Sequence, residues 1–134
     1  MPYKVLEHKA DLAIHVIGHS LTDLFSEEMR AMIVELKPQG LGKDEILREI
    51  SISAADKTAL LIDFLNEILA LTQVNQEIYK SVFFKNLSEN HCSARLSGVA
   101  VSGFGEDIKA ATYHSANIQK NALGDWQTSL LFDI

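Results

Sequence analysis

The sequence has little with which to build a disulfide, a membrane anchor or a basic nucleic-acid surface. Cys92 is its only cysteine, so no intrachain disulfide is open to it and no Cys pair at zinc-site spacing exists. It reads as a small strand residue. No apolar run approaches the roughly 20 residues of a membrane helix. The opening Met1-Pro2-Tyr3-Lys4 lacks the apolar region of a secretory leader, so a reducing cytoplasm is the expected compartment. Lys and Arg number 12 against 18 Asp and Glu, a formal net charge of -6. That balance argues against gripping RNA or DNA through a basic face, because phosphate contact needs clustered cations. It suits docking to a basic protein surface. The signatures of several chemistries are also missing: a phosphate-binding glycine loop, a Gly-x-Ser-x-Gly elbow and a His-Glu-x-x-His helix. Gly103-Phe104-Gly105 reads as a turn, and nothing in the chain supplies a strong nucleophile and base together.

What is present is the patterning of a folded chain. With 134 residues, 47% of them hydrophobic, one domain spanning residues 1–134 has enough material for a core. Tyr3 to Leu6 reads as a short strand. In Asp11 to Gly18, Leu12, Ile14 and Val16 share one face while Asp11 and His15 share the other. Ser20 caps a helix with Asp23 at its third position. Leu21, Leu24, Phe25, Met29, Met32, Ile33 and Leu36 then recur at helical steps. Glu27 and Glu28 fall on the polar side of that helix by this reading. Pro38, Gly40 and Gly42 make a loop. Ile46, Ile50 and Ile52 mark a strand, and Asp56 caps a densely apolar second helix to about Leu71. Four strands follow: Tyr79 to Leu87, His91 to Ser102, Ile108 to Lys120, and Trp126 to Ile134. Asn90, Gly103, Gly105 and Gly124 mark the turns. The order predicts an α+β fold with a mostly antiparallel sheet and two packed helices.

Three polar motifs interrupt these apolar segments: Glu7-His8-Lys9-Ala10-Asp11, Lys109-Ala110-Ala111-Thr112-Tyr113-His114, and Phe132-Asp133-Ile134. Charge beside a packed strand is costly unless it is paired or coordinated, and three such places in one small domain suggest a shared site. Each residue also has a plain structural reading. Asp11 suits a turn cap, Asp133 an exposed strand end, and Lys109 a lysine that snorkels to solvent. His8, three residues before Asp11, is open as a nitrogen ligand, an outer contact, or an ordinary hydrogen-bonding residue. Lys109 and His114 differ by an odd number, so a regular strand sends them to opposite faces. Either a bulge intervenes or only one of them faces the site, and His114 then suits a packed histidine. His15 and His19 share parity with Asp11, but strand residues four apart lie about 13 Å apart, so one ion cannot bridge Asp11 and His15. Both read as solvent-facing.

The ordered set of motifs resembles the archease family. Glu7 to Asp11, the strand to Gly18 and Ser20-Leu21-Thr22-Asp23-Leu24-Phe25 are similar to its opening. Leu60-Leu61-Ile62-Asp63-Phe64-Leu65-Asn66-Glu67-Ile68-Leu69 resembles its central helix, Lys109 to His114 its late strand, and Leu131-Phe132-Asp133-Ile134 its ending. Glu27-Glu28 departs from the family pattern, where a small polar residue and alanine are common. The resemblance implies sheet-and-helix layers related to the strand-helix-strand-strand module. It also implies an accessory role to a GTP- and metal-dependent RNA ligase that joins tRNA halves, with GTP used by the ligase. The helper promotes ligase guanylylation and repeated turnover. A divalent cation held by Asp11 and Asp133 is implied, and Lys109 is implied as a functional lysine. The terminal carboxylate of Ile134 is close enough in sequence to join the metal. Such oxygen donors suit Mg²⁺, Ca²⁺ or Mn²⁺. RNA would be met only through the ligase, and no membrane contact is expected. Two other readings stay open: a small metal-dependent hydrolase, in which the cation activates water, and a protein-binding module that the metal merely stabilises.

Overall fold

Two helices form for reasons local to the sequence. In the computed structural model, which describes residues 3–8, 11–114 and 116–134, helix α1 spans Leu21–Glu35. The Ser20 hydroxyl accepts a hydrogen bond from the Asp23 amide at 3.1 Å, satisfying one of the free first-turn donors. Helix α2 spans Lys57–Asn75. The Asp56 carboxylate caps it by accepting from the Ala59 amide at 2.8 Å. Gln76 ends it in the left-handed conformation.

The strands make two main sheets. One contains β1 (Tyr3–His8), β2 (Asp11–Gly18) and β10 (Trp126–Asp133), with the two-residue pieces β8 (Ala110–Ala111) and β9 (Gln119–Lys120) both against β10. The other orders β4 (Ile46–Ser53), β6 (His91–Ala100) and β5 (Glu77–Leu87), with β6 in the middle. All pairings are antiparallel, including a small one between β3 (Pro38–Gln39) and β7 (Gly103–Phe104). Helix α1 packs on both β2 and β5, and α2 on β8 as well as on β4, β5 and β6. The helices therefore fill the space between the sheets. Phe25, Phe64 and Phe84 meet there with ring centroids 5.4 to 6.1 Å apart, joining α1, α2 and β5. Ile14, Leu130 and Phe132 close the core from the first sheet.

The architecture is the expected α+β arrangement, and several segments differ from the sequence reading. Strand β1 reaches His8 rather than stopping at Leu6, and α2 continues past Leu71 to Asn75. The loop at Pro38 and the turn at Gly103 pair with one another. The strand expected over Ile108 to Lys120 is not continuous. Among its described residues, only Ala110–Ala111 and Gln119–Lys120 pair with β10. The stretch from Thr112 to Ile118 carries no alternating apolar pattern to hold a pleated strand, and side-chain hydrogen bonds tie the segment to α2 instead.

Glu28 is the largest departure. It does not lie on a polar face: it is 0% exposed, and neither carboxyl oxygen has a hydrogen-bond partner among the described residues. Burial raises its pKa well above the ordinary value. Glu77 is equally enclosed but fully partnered. Arg48 donates two hydrogen bonds to it, at 2.8 and 2.9 Å, and the Tyr79 hydroxyl donates a third.

Candidate functional site

The end of the first sheet brings together residues from both ends of the sequence. In the register of β2 and β10, Asp11 lies directly opposite Asp133. On the far side of β2, Asp11 is opposite His8. On the far side of β10, Asp133 is opposite Ala110. One transverse row across four strands thus reads His8, Asp11, Asp133, Ala110. Directly opposed residues share a face and have Cβ atoms about 4.5–5.5 Å apart. Their neighbours Leu12 and Phe132 pack toward the core, so Asp11 and Asp133 project from the sheet face that turns away from the helices.

Asp11 is half-buried and Asp133 exposed. Neither makes an ion pair among the described residues. Like charges opposed across a sheet repel, and a hard cation between two carboxylates relieves that repulsion. The donor set therefore fits an oxygen-binding divalent ion. No group of three or more His, Cys, Asp or Glu converges among the described residues, so water or a partner's groups would complete the coordination. The side chain of His8 lies outside the described residues.

Lys109 is fixed beside this row through its backbone. Its amide donates to the Asp133 carbonyl at 2.7 Å. Helix α2 holds the flanking residues with two polar side chains seven positions apart, hence on one helix face. Asn66 accepts from the Ala111 amide at 2.8 Å and donates to the Ala111 carbonyl at 3.0 Å. Gln73 donates to the Ile108 carbonyl at 2.8 Å. These side chains replace ladder bonds that a second full strand would have supplied. The Lys109 side chain is exposed and makes no ion pair among the described residues. Neither Asn66 nor Gln73 stood out in the sequence reading. The available signal was two amides seven residues apart on one face of a largely apolar helix.

His114 is not in the row. The chain at Thr112 follows β10 back to Leu131, at 2.9 Å, and the Tyr113 hydroxyl then donates to Asp63 on α2. His114 sits exposed in the following turn, so it is not a packed histidine either. Ile134 points a half-exposed side chain into a neighbouring cleft of about 220 Å³, which it shares with Leu12, Ile108, Glu35, Lys37 and Glu106. His15 is half-buried, with its Nδ1 2.7 Å from the Ser129 hydroxyl. His19 is exposed, and its hydrogen bond with Asp125 raises its pKa.

The sequence model described as the Archease protein family (MTH1598/TM1083) matches residues 3–134. The chain belongs to the archease family. Among its archease relatives, one from Methanosarcina acetivorans is 29% identical over 141 aligned positions, covering 98% of this chain and 95% of the relative. One from Pyrococcus abyssi is 28% identical, covering 96% and 95%. Two solved structures share the fold. The solution structure of Methanobacterium thermoautotrophicum protein 1598 gives a TM-score of 0.72 at 18% identity, covering 99% of each chain. The crystal structure of a Thermotoga maritima archease, titled a possible chaperone, gives 0.69 at 23% identity, covering 98% of this chain and 96% of that one. In this archease fold, then, the carboxylate row sits at one end of the first sheet, with α2 supporting its Lys109 flank.

Proposed function

We propose that this protein is a cytoplasmic accessory protein of a GTP- and metal-dependent RNA ligase in tRNA splicing or RNA repair. It promotes guanylylation of the ligase and lets each ligase molecule turn over repeatedly. The observation that carries this reading is the pairing of Asp11 with Asp133 across the sheet, with Lys109 anchored on the Asp133 carbonyl. Family membership supplies the context. Asp11 and Asp133 would hold a divalent cation such as Ca²⁺, Mg²⁺ or Mn²⁺, which supplies positive charge for oxygen ligands of the partner. Asp11 and Asp133 would leave room for the partner's oxygens to join such an ion, and Lys109 would offer a flexible cation to phosphate or carboxylate groups nearby. GTP is bound and consumed by the ligase, and RNA is reached only through it.

The test is multiple-turnover ligation by the cognate ligase at limiting enzyme, with and without this protein. Wild type is expected to stimulate turnover strongly. Asp11→Ala, Asp133→Ala and Lys109→Ala are each expected to lower that stimulation by about tenfold or more while keeping a cooperative melt. A divalent cation should raise the melting temperature of wild type and not that of Asp133→Ala. Unchanged ligase turnover with wild-type protein would sink the proposal.

A further inference from the structure

A groove opens between the second half of α1 and the start of β5, away from the carboxylate row. Its walls are Ile33, Val34, Pro38 and Ile78, and it encloses about 380 Å³. Val34 is 53% exposed, so part of the apolar wall faces water. Among the described residues, the charged ones at its edge are Arg30 and Lys80, and no carboxylate lines it. In a chain of net charge -6 that is a local reversal of sign. Glu27 approaches Arg30 at 3.4 Å from the preceding turn of the helix, but such an exposed pair holds the guanidinium only weakly.

Lys80 reaches the rim for a backbone reason. The register of β5 on β6 steps from Tyr79 opposite Gly98 to Ser81 opposite Ser97. Lys80 is the extra residue of a bulge, and bulges re-aim side chains. Gly98 permits the close approach, because a Cβ there would lie 1.7 Å from the Ile78 carbonyl oxygen. Strand β5 is also an edge of its sheet, so the groove borders an open strand edge.

We propose that this groove docks a short segment of a protein partner, with a bulky apolar side chain between aspartates or glutamates. The apolar side chain fills the cavity against Ile33, Val34 and Ile78, and its acidic neighbours meet Arg30 and Lys80. Both features are needed: a nucleic acid would use the cations and leave the apolar wall unfilled. The proposal stands independently of the ligase assignment, since it uses none of the same residues.

The experiment is an NMR titration of the labelled protein with two synthetic peptides. Both carry a leucine-phenylalanine core, one flanked by glutamates and the other by lysines. The glutamate peptide is expected to bind saturably, with amide shifts centred on Val34, Ile78 and Lys80, and the lysine peptide is not. Val34→Glu and Lys80→Glu change exposed side chains and are each expected to weaken binding about tenfold. Equal binding of the two peptides, shifts centred elsewhere, or no saturation by about millimolar peptide would overturn the proposal. So would concentration-dependent self-association abolished by Val34→Glu, which would assign the groove to a second copy of this chain. Because no ligase is present, these outcomes are separate from those of the turnover assay.

Discussion

Glu28 and Glu77 are both enclosed carboxyls, and their surroundings push them in opposite directions. The hydrogen bonds from Arg48 hold Glu77 below the usual carboxylate range, so its contribution is present above the unfolded value of 4.5 and is lost as pH falls through the lower folded value. Burial alone pushes Glu28 upward. Below pH 4.5 it is neutral in both folded and unfolded chains and costs nothing through charge. Above 4.5 the unfolded chain ionises first, so its contribution to stability declines as pH rises toward the folded value. Replacing Glu28 by methionine keeps much of its length and removes the orphaned oxygens. We expect Glu28→Met to stabilise the protein by on the order of 1–3 kcal/mol at pH 7, with a smaller gain near pH 4.5. Urea melts at the two pH values check this, and a gain that is flat with pH would show that Glu28 is charged when folded. The position was legible: Glu28 lies three residues after Phe25 and four before Met32, inside the apolar stripe. Reading it as polar followed its residue type rather than its place on the helix.

At the scale of elements, the segment around Lys109 depends on α2 more than on its own propensity. Asn66 satisfies both the amide and the carbonyl of Ala111. Asn66→Ala would strand these half-buried groups and is expected to cost about 1–3 kcal/mol. The amides of Lys109 and Ala111 should exchange with solvent faster, and ligase stimulation should fall although Asn66 lies off the carboxylate row. Unchanged exchange at those amides would show that the segment is held by β10 alone. The same segment marks the limit of what could be read in advance. Strand β2 was visible because Leu12, Ile14 and Val16 alternate, and both helix starts because Ser20 and Asp56 stand before apolar periodicity. Residues 108–120 have no comparable alternation, and side-chain amides distant in sequence decide their course. The polar motifs suggested a shared site and the resemblance paired Asp11 with Asp133 as metal ligands, but their direct opposition was not legible, because strand register is a tertiary property that neither motif encodes.

For the molecule as a whole, the acidic balance has a measurable consequence. If a basic partner surface draws the protein in, raising salt from about 0.1 M to 1 M shortens the screening length from roughly 10 Å to 3 Å. The association rate should then drop on the order of tenfold or more while dissociation changes little. Stopped-flow binding to the ligase at several salt concentrations reads this directly, and a salt-independent rate would remove charge steering from the account. The sheet order carries one more consequence, for biosynthesis. Strand β10 lies between β2 on one side and β8 and β9 on the other, yet the ribosome makes it after all of them. Until Trp126–Asp133 emerges, the first sheet is the two-stranded β1–β2 hairpin, which relies on its packing against α1. The helical layer is then open on that side, and Asp11 has no opposing carboxylate. A nascent chain therefore lacks the row until its closing strand threads into the gap, so a half-translated molecule cannot engage a partner through it.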